Sequence, residues 1–108
     1  MAAEIVFVGR DNPIRRRLMA GRSVISSAVA ASVTKVQVVL QQGKVTVPLN
    51  STDHASAVKL PAADGVVELR LGSAVDFTGN YRASLTLFTA DEPNGLEVED
   101  FPVEVRNP

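Results

Sequence analysis

Along most of this chain apolar and polar side chains alternate with a period of two, the period of a strand that buries one face. Ile5-Val6-Phe7-Val8 reads as a short first strand, closed by the turn-prone run Gly9-Arg10-Asp11-Asn12-Pro13. Ile14 to Met19 is a second candidate, with Ile14 and Leu18 on one face, and Ala20-Gly21-Arg22-Ser23 then breaks the chain. Thr34 to Gln41 is the clearest strand: Val36, Val38 and Leu40 face one way, Lys35, Gln37 and Gln41 the other. Gln42-Gly43-Lys44 is a tight turn, and Val45, Val47 and Leu49 continue the inward pattern, so the two strands form a hairpin.

Asn50 to Ser56 is a polar loop, and Ala57 to Leu60 a short edge strand stopped by Pro61-Ala62-Ala63-Asp64-Gly65. Val67, Leu69 and Leu71 alternate with Glu68 and Arg70; Tyr81, Ala83, Leu85 and Leu87 alternate with Arg82, Ser84 and Thr86. Asp91-Glu92-Pro93-Asn94-Gly95 is a strong turn cluster. The last strand carries a defect of parity. Leu96 and Val98 share one face, whereas Phe101, Val103 and Val105 have the opposite phase. A β-bulge near Asp100, or a change of sheet there, reconciles the halves, and Pro102 suits an edge strand because it offers no N–H. Val24 to Val33, rich in Ala and Ser, shows no apolar stripe and reads as irregular, with at most one helical turn.

Seven or eight short strands with turns every eight to twelve residues predict an all-β fold, an antiparallel sandwich, with a small barrel as the second choice. Asp76-Phe77-Thr78-Gly79-Asn80-Tyr81-Arg82-Ala83 resembles the turn into the sixth strand of immunoglobulin-like domains. There an Asp and a Gly precede a Tyr whose hydroxyl bonds back to upstream backbone. The resemblance makes Tyr81, Asp76 and Gly79 a structural tyrosine corner, and puts Ala83 where antibody domains carry their second Cys. The fold class expected is therefore an immunoglobulin-like antiparallel β-sandwich, residues 1–108 forming a single domain.

The 108 residues leave room for little more than one domain. No segment approaches the ~20 apolar residues of a membrane span, and the start lacks the pattern of a signal peptide. With no cysteine, disulfides, thiolate metal sites and thiol catalysis are excluded, which suits manufacture in a reducing cytoplasm. The net charge of −1 gives no general bias toward nucleic acid or anionic membrane. The charges are unevenly placed, however. Arg10, Arg15, Arg16, Arg17, Arg22 and Lys35 crowd the first third, and Asp91, Glu92, Glu97, Glu99, Asp100 and Glu104 the end.

Catalytic chemistry finds few parts. His54, the only histidine, sits in the polar loop Thr52-Asp53-His54 with nothing resembling a nucleophile elbow beside it. One histidine and scattered carboxylates give no metal-ligand spacing, no phosphate-cradling glycine loop is present, and no cofactor is implied. Arg15-Arg16-Arg17 is the most prominent run. On a strand the three alternate faces, and no aromatic is interleaved for base stacking, so nucleic acid is disfavoured. Contacts with carboxylates fit better, and if the second strand lies near the last, Glu97, Glu99 and Glu104 are the natural partners.

The order of features carries a second resemblance. Asp11-Asn12-Pro13-Ile14, Val33-Thr34-Lys35-Val36, Val66-Val67-Glu68-Leu69-Arg70-Leu71-Gly72, Gly79-Asn80-Tyr81-Arg82-Ala83 and Thr89-Ala90-Asp91-Glu92-Pro93-Asn94-Gly95 follow one another as strand and turn signals. Together they resemble small immunoglobulin-like structural proteins of tailed bacteriophage virions and prophages, over residues 11–106. The resemblance implies a non-enzymatic virion component of the tail, neck or baseplate, or a capsid decoration. It would be made in the host cytoplasm and would act by docking on other virion proteins and on copies of itself. The expected interface is Ile5, Phe7, Arg15, Arg16, Arg17, Glu97, Glu99 and Glu104, with the strand in residues 1–10 free to add to a neighbour's sheet. A carbohydrate- or receptor-binding module, or a cellular adaptor sandwich, is the alternative.

Overall fold

The computed structural model describes residues 3–20 and 23–108; of the predicted break at Ala20-Gly21-Arg22-Ser23, Gly21 and Arg22 lie outside the described residues. In chain order the elements are β1 (Glu4–Phe7), β2 (Ile14–Arg17), β3 (Met19–Ala20), β4 (Ser23–Val24), α1 (Ser27–Ser32), β5 (Val33–Gln42), β6 (Val45–Asn50), β7 (Val66–Leu69), β8 (Gly79–Thr89) and β9 (Leu96–Arg106). A five-stranded sheet has the order β1-β9-β8-β5-β6. It packs over β2 and β7, which pair with each other and are extended by an isolated bridge between Val58 and Leu69. The arrangement is that of a β-sandwich, and β3 and β4 pair in a separate two-stranded sheet.

The strands lie where alternation puts them because each has one apolar face to hide. On the large sheet Val38 stands opposite Leu85, Leu40 opposite Ala83, and Ala83 opposite Phe101. All five side chains are fully buried, and the small Ala83 leaves room for the Phe101 ring beside it. The small sheet answers with Ile14, Val67 and Leu69, also buried. Burying side chains of this size contributes roughly 1.5–3 kcal/mol each, which is how a core without tryptophan is held.

The parity defect resolves as a bulge. Leu85 pairs with Glu99 but Thr86 pairs with Glu97, so Val98 is the extra residue, two positions before Asp100. The consequence is that Glu99 shares the inward face with Leu85, as directly opposed residues do.

Four elements differ from expectation. Strand β9, expected at an edge on account of Pro102, lies between β8 and β1; the paired register of β1 begins only at Val103, so Pro102 has a partner, Arg82, on the β8 side alone. The second predicted strand divides at Leu18, whose side chain is buried while its N–H donates to Gly65 O (2.8 Å) and its carbonyl accepts from Ile25 N (3.0 Å). The predicted edge strand over 57–60 shrinks to the single bridge at Val58. A short helix, α1, forms where no stripe announced one, because Ser26 caps it: its hydroxyl accepts from Val29 N at 3.2 Å. Only Ala30 of the helix is buried, so the cap and the small residues, rather than an apolar face, explain it.

Candidate docking surfaces

Along β2 the three arginines alternate. Arg15 points outward, 64% exposed, and pairs with Glu68 directly across from it on β7 (3.0 Å). Glu68 is held from its other side by Arg70 (3.3 Å). Partial burial alone would raise the Glu68 pKa, but Arg70 and then Arg15 outweigh it and hold the carboxyl below its ordinary range. Arg17 is exposed.

Arg16 has the opposite parity, shared with Ile14 and Leu18, and so faces the large sheet. Its guanidinium binds Glu4 of β1 (3.2 Å) and Glu99 of β9, and lies 4.4 Å from the centre of the Phe101 ring. Arg16 and Glu99 are only 16% and 15% exposed. Both carboxylates sit at inward positions, Glu4 opposite Val103 and Glu99 opposite Leu85. The three charges therefore make an ionic clasp between the sheets. Strand β2 hydrogen-bonds to β7, and Arg16 reaches Glu99 of β9 across the gap between the sheets.

The other expected partners are placed elsewhere. Glu104 is taken by Arg106 two residues on (3.0 Å), whose hydrogen bond and charge lower its pKa. Glu97 is exposed and makes no ion pair among the described residues.

Strand β1 pairs in parallel with β9, from Glu4 opposite Val103 to Phe7 opposite Arg106. Val6 faces the core, whereas Ile5 is 41% exposed and Phe7 half-buried on the outer face. Beyond the strand, Gly9 N donates to Gly72 O at 2.8 Å. A Cβ at Gly72 would lie 2.1 Å from the Arg10 carbonyl oxygen and 2.6 Å from that of Phe7, so only glycine lets the β1–β2 turn close here. As the last strand of its sheet, β1 has one edge unpaired among the described residues.

At the start of β8, buried Tyr81 donates its hydroxyl to the Phe77 carbonyl at 2.8 Å. Gly79 between them adopts φ +131°, Asp76 is exposed, and the Phe77 ring projects into solvent, 67% exposed. In the loop after β6, His54 Nδ1 accepts from Asn50 N (3.2 Å), and Asp53 accepts from the Asn50 side chain (3.2 Å). These two groups are occupied in closing their own turn.

One feature lay beyond reach of the pattern: a cleft of about 280 Å³ between α1 and the turn joining β8 to β9. Ile25, Val29, Leu87 and Leu96 give it an apolar lining, with Asp91 and Glu92 at its acidic rim. Val29 and Leu96 are each about two-fifths exposed. The only signals in the sequence were the acidic pair at 91–92 and the out-of-phase Leu96.

No family model, curated protein or solved structure matches the chain.

Proposed function

We propose that this chain is a non-enzymatic, immunoglobulin-like structural component of a tailed-phage virion, acting by protein–protein docking. The observation that carries the fold reading is the strand order. Lettered in the immunoglobulin manner, β5, β8 and β9 supply a C-F-G sheet, β6 adds a C′ strand, and β2, β7 and the segment at Val58 stand as B, E and D. The bond from Tyr81 to Phe77 stands at the start of the F strand, where such domains place their tyrosine corner.

The docking reading draws on how the polar groups are used. Arg15 and Arg16 are committed to Glu68, Glu4 and Glu99, and Asp53 and His54 to the Asn50 turn. The surfaces left open include the β1 edge, the exposed Phe77 and the acid-rimmed cleft, and these support contact with another protein. A tail, neck or baseplate position is preferred over capsid decoration, following the resemblance of residues 11–106.

The test is immunogold labelling, with antibody to the purified chain, of particles released by cells that encode it. Label at a fixed place on the particles is expected. Label confined to soluble material would overturn the proposal.

A further inference from the structure

We infer that two copies of this chain pair through the free edges of their β1 strands, antiparallel across a two-fold axis, so that two five-stranded sheets become one. The inference rests on the docking reading and names one partner for it. The large sheet ends in β1 on one side and β6 on the other, and the two edges differ. On β6 the bond from Ser51 N to Val36 O (2.9 Å) sets the phase of the ladder. Bonded and non-bonded residues alternate in an antiparallel pair, so Asn50, Pro48 and Thr46 turn their backbone groups away from β5. Pro48 has no N–H to offer there. Asn50 N donates to His54 Nδ1 (3.2 Å), and the Asn50 carbonyl accepts from His54 N (2.8 Å). Most of the β6 edge is thereby closed to a further strand.

The β1 edge is open. Val8 N donates to Arg106 O (3.0 Å), so by the same alternation Val6 and Glu4 turn toward β9, and Ile5 and Phe7 turn outward. On that side the N–H and carbonyl of Ile5 and the N–H of Phe7 have no backbone partner among the described residues. The Phe7 carbonyl is already used. It accepts from Arg10 N (3.0 Å) and lies against Gly72.

These groups form a self-complementary set with one register. With Ile5 opposite its own copy, the two Ile5 residues exchange a pair of bonds, and each Phe7 N–H meets the other copy's Ala3 carbonyl. No bond then falls on the used Phe7 carbonyl. A slide that sets Ile5 opposite Phe7 needs that carbonyl as an acceptor, and the opposite slide sets Glu4 against Glu4, like charges facing. In the chosen register the outer face joins Ile5, 41% exposed in the single copy, to its twin. It also sets the half-buried Phe7 ring over the small, exposed Ala3. Glu4, the one charge on β1, is held by Arg16 at 3.2 Å. Because β6 does not take a strand, the contact is isologous and closes at two copies. It is one short strand wide, so the dimer is weak, and no ion pair crosses it.

Sedimentation equilibrium of the purified chain over a concentration and salt series tests this. The average mass should rise with concentration and level off at twice the 11.5 kDa of one copy, at low and high salt alike. Ile5→Pro removes an N–H that makes no bond within the chain, so the fold should hold while association weakens about tenfold or more. Thr46→Pro, the same change on the β6 edge, should leave association unchanged. Ile5→Lys and Ile5→Glu should each be monomeric, and mixing the two should restore dimers, because position 5 of one copy faces position 5 of the other. A wild-type chain that stays monomeric, a dimer indifferent to Ile5→Pro, a dimer lost in Thr46→Pro, or a mixture that stays monomeric would each overturn the inference. Particle labelling separates this from the docking reading. A monomer found on particles ends the inference alone, and a dimer absent from particles ends the reading alone.

Discussion

Arg16 and Glu99 come from opposite sheets and meet inside the sandwich, each about five-sixths buried. Of the three consecutive arginines, only this one is locked into the fold, because only its parity points inward. Removing one partner of a buried pair strands the other charge, so Arg16→Ala should cost about 3 kcal/mol, at the lower end for such losses. Arg15→Ala, which breaks an exposed pair, should cost under about 1 kcal/mol. Urea unfolding of both variants checks the contrast, and equal losses would remove the clasp from the account. Arg16→Met keeps the packing on Phe101 and, with Glu99→Gln, should recover most of the stability.

The hydroxyl of Tyr81 is buried and donates to Phe77, so Tyr81→Phe leaves that carbonyl without its partner. The expected loss is about 1–2 kcal/mol by denaturant unfolding. A loss below about 0.5 kcal/mol would mean that water replaces the bond without cost.

Gly72 is a steric requirement with no left-handed φ behind it. Gly72→Ala drives a methyl against two carbonyl oxygens of the β1–β2 turn, and should destabilise by about 1–3 kcal/mol. The damage should be local first. Hydrogen exchange at residues 5–9 should accelerate more than exchange in β5 or β8, and a uniform increase would show that β1 is no separate unit.

Much of this was legible in the sequence, and what escaped has physical reasons. Strands β5, β7 and β8 follow from Val36-Val38-Leu40, Val67-Leu69 and Tyr81-Ala83-Leu85-Leu87, because burial of one face enforces a strict period. The bulge was visible as a parity break near Asp100 and lies at Val98. The clasp was visible too, in principle. Arg16 shares parity with Ile14 and Leu18, Glu99 with Phe101 and Val103, and Glu4 with Val6, so three charges stood at core positions. The parallel pairing of β1 on β9 joins the two ends of the chain, and no local pattern encodes so distant a contact. The cleft arises where a six-residue helix meets a turn about sixty residues away, which is equally non-local.

Glu68 and Glu104 have pKa values below the ordinary 4.5 in the folded chain. In the unfolded chain each takes up its proton at higher pH than in the fold. Their contribution is therefore fully present above about pH 4.5 and lost as pH falls through the depressed folded values. Glu68→Gln should lower the melting temperature slightly near neutrality, and the gap from wild type should close below about pH 4. A gap that stays constant into acid would show that Arg15 and Arg70 do not hold the carboxylate charged.

The most direct test of the docking account is quantitative mass spectrometry of gradient-purified particles from cells that encode the chain. The chain should co-purify in a fixed, multiple copy number relative to the other particle proteins, at low and high salt alike. A chain that is abundant in the soluble fraction and absent from the particles, or present only in trace and variable amounts, would contradict it.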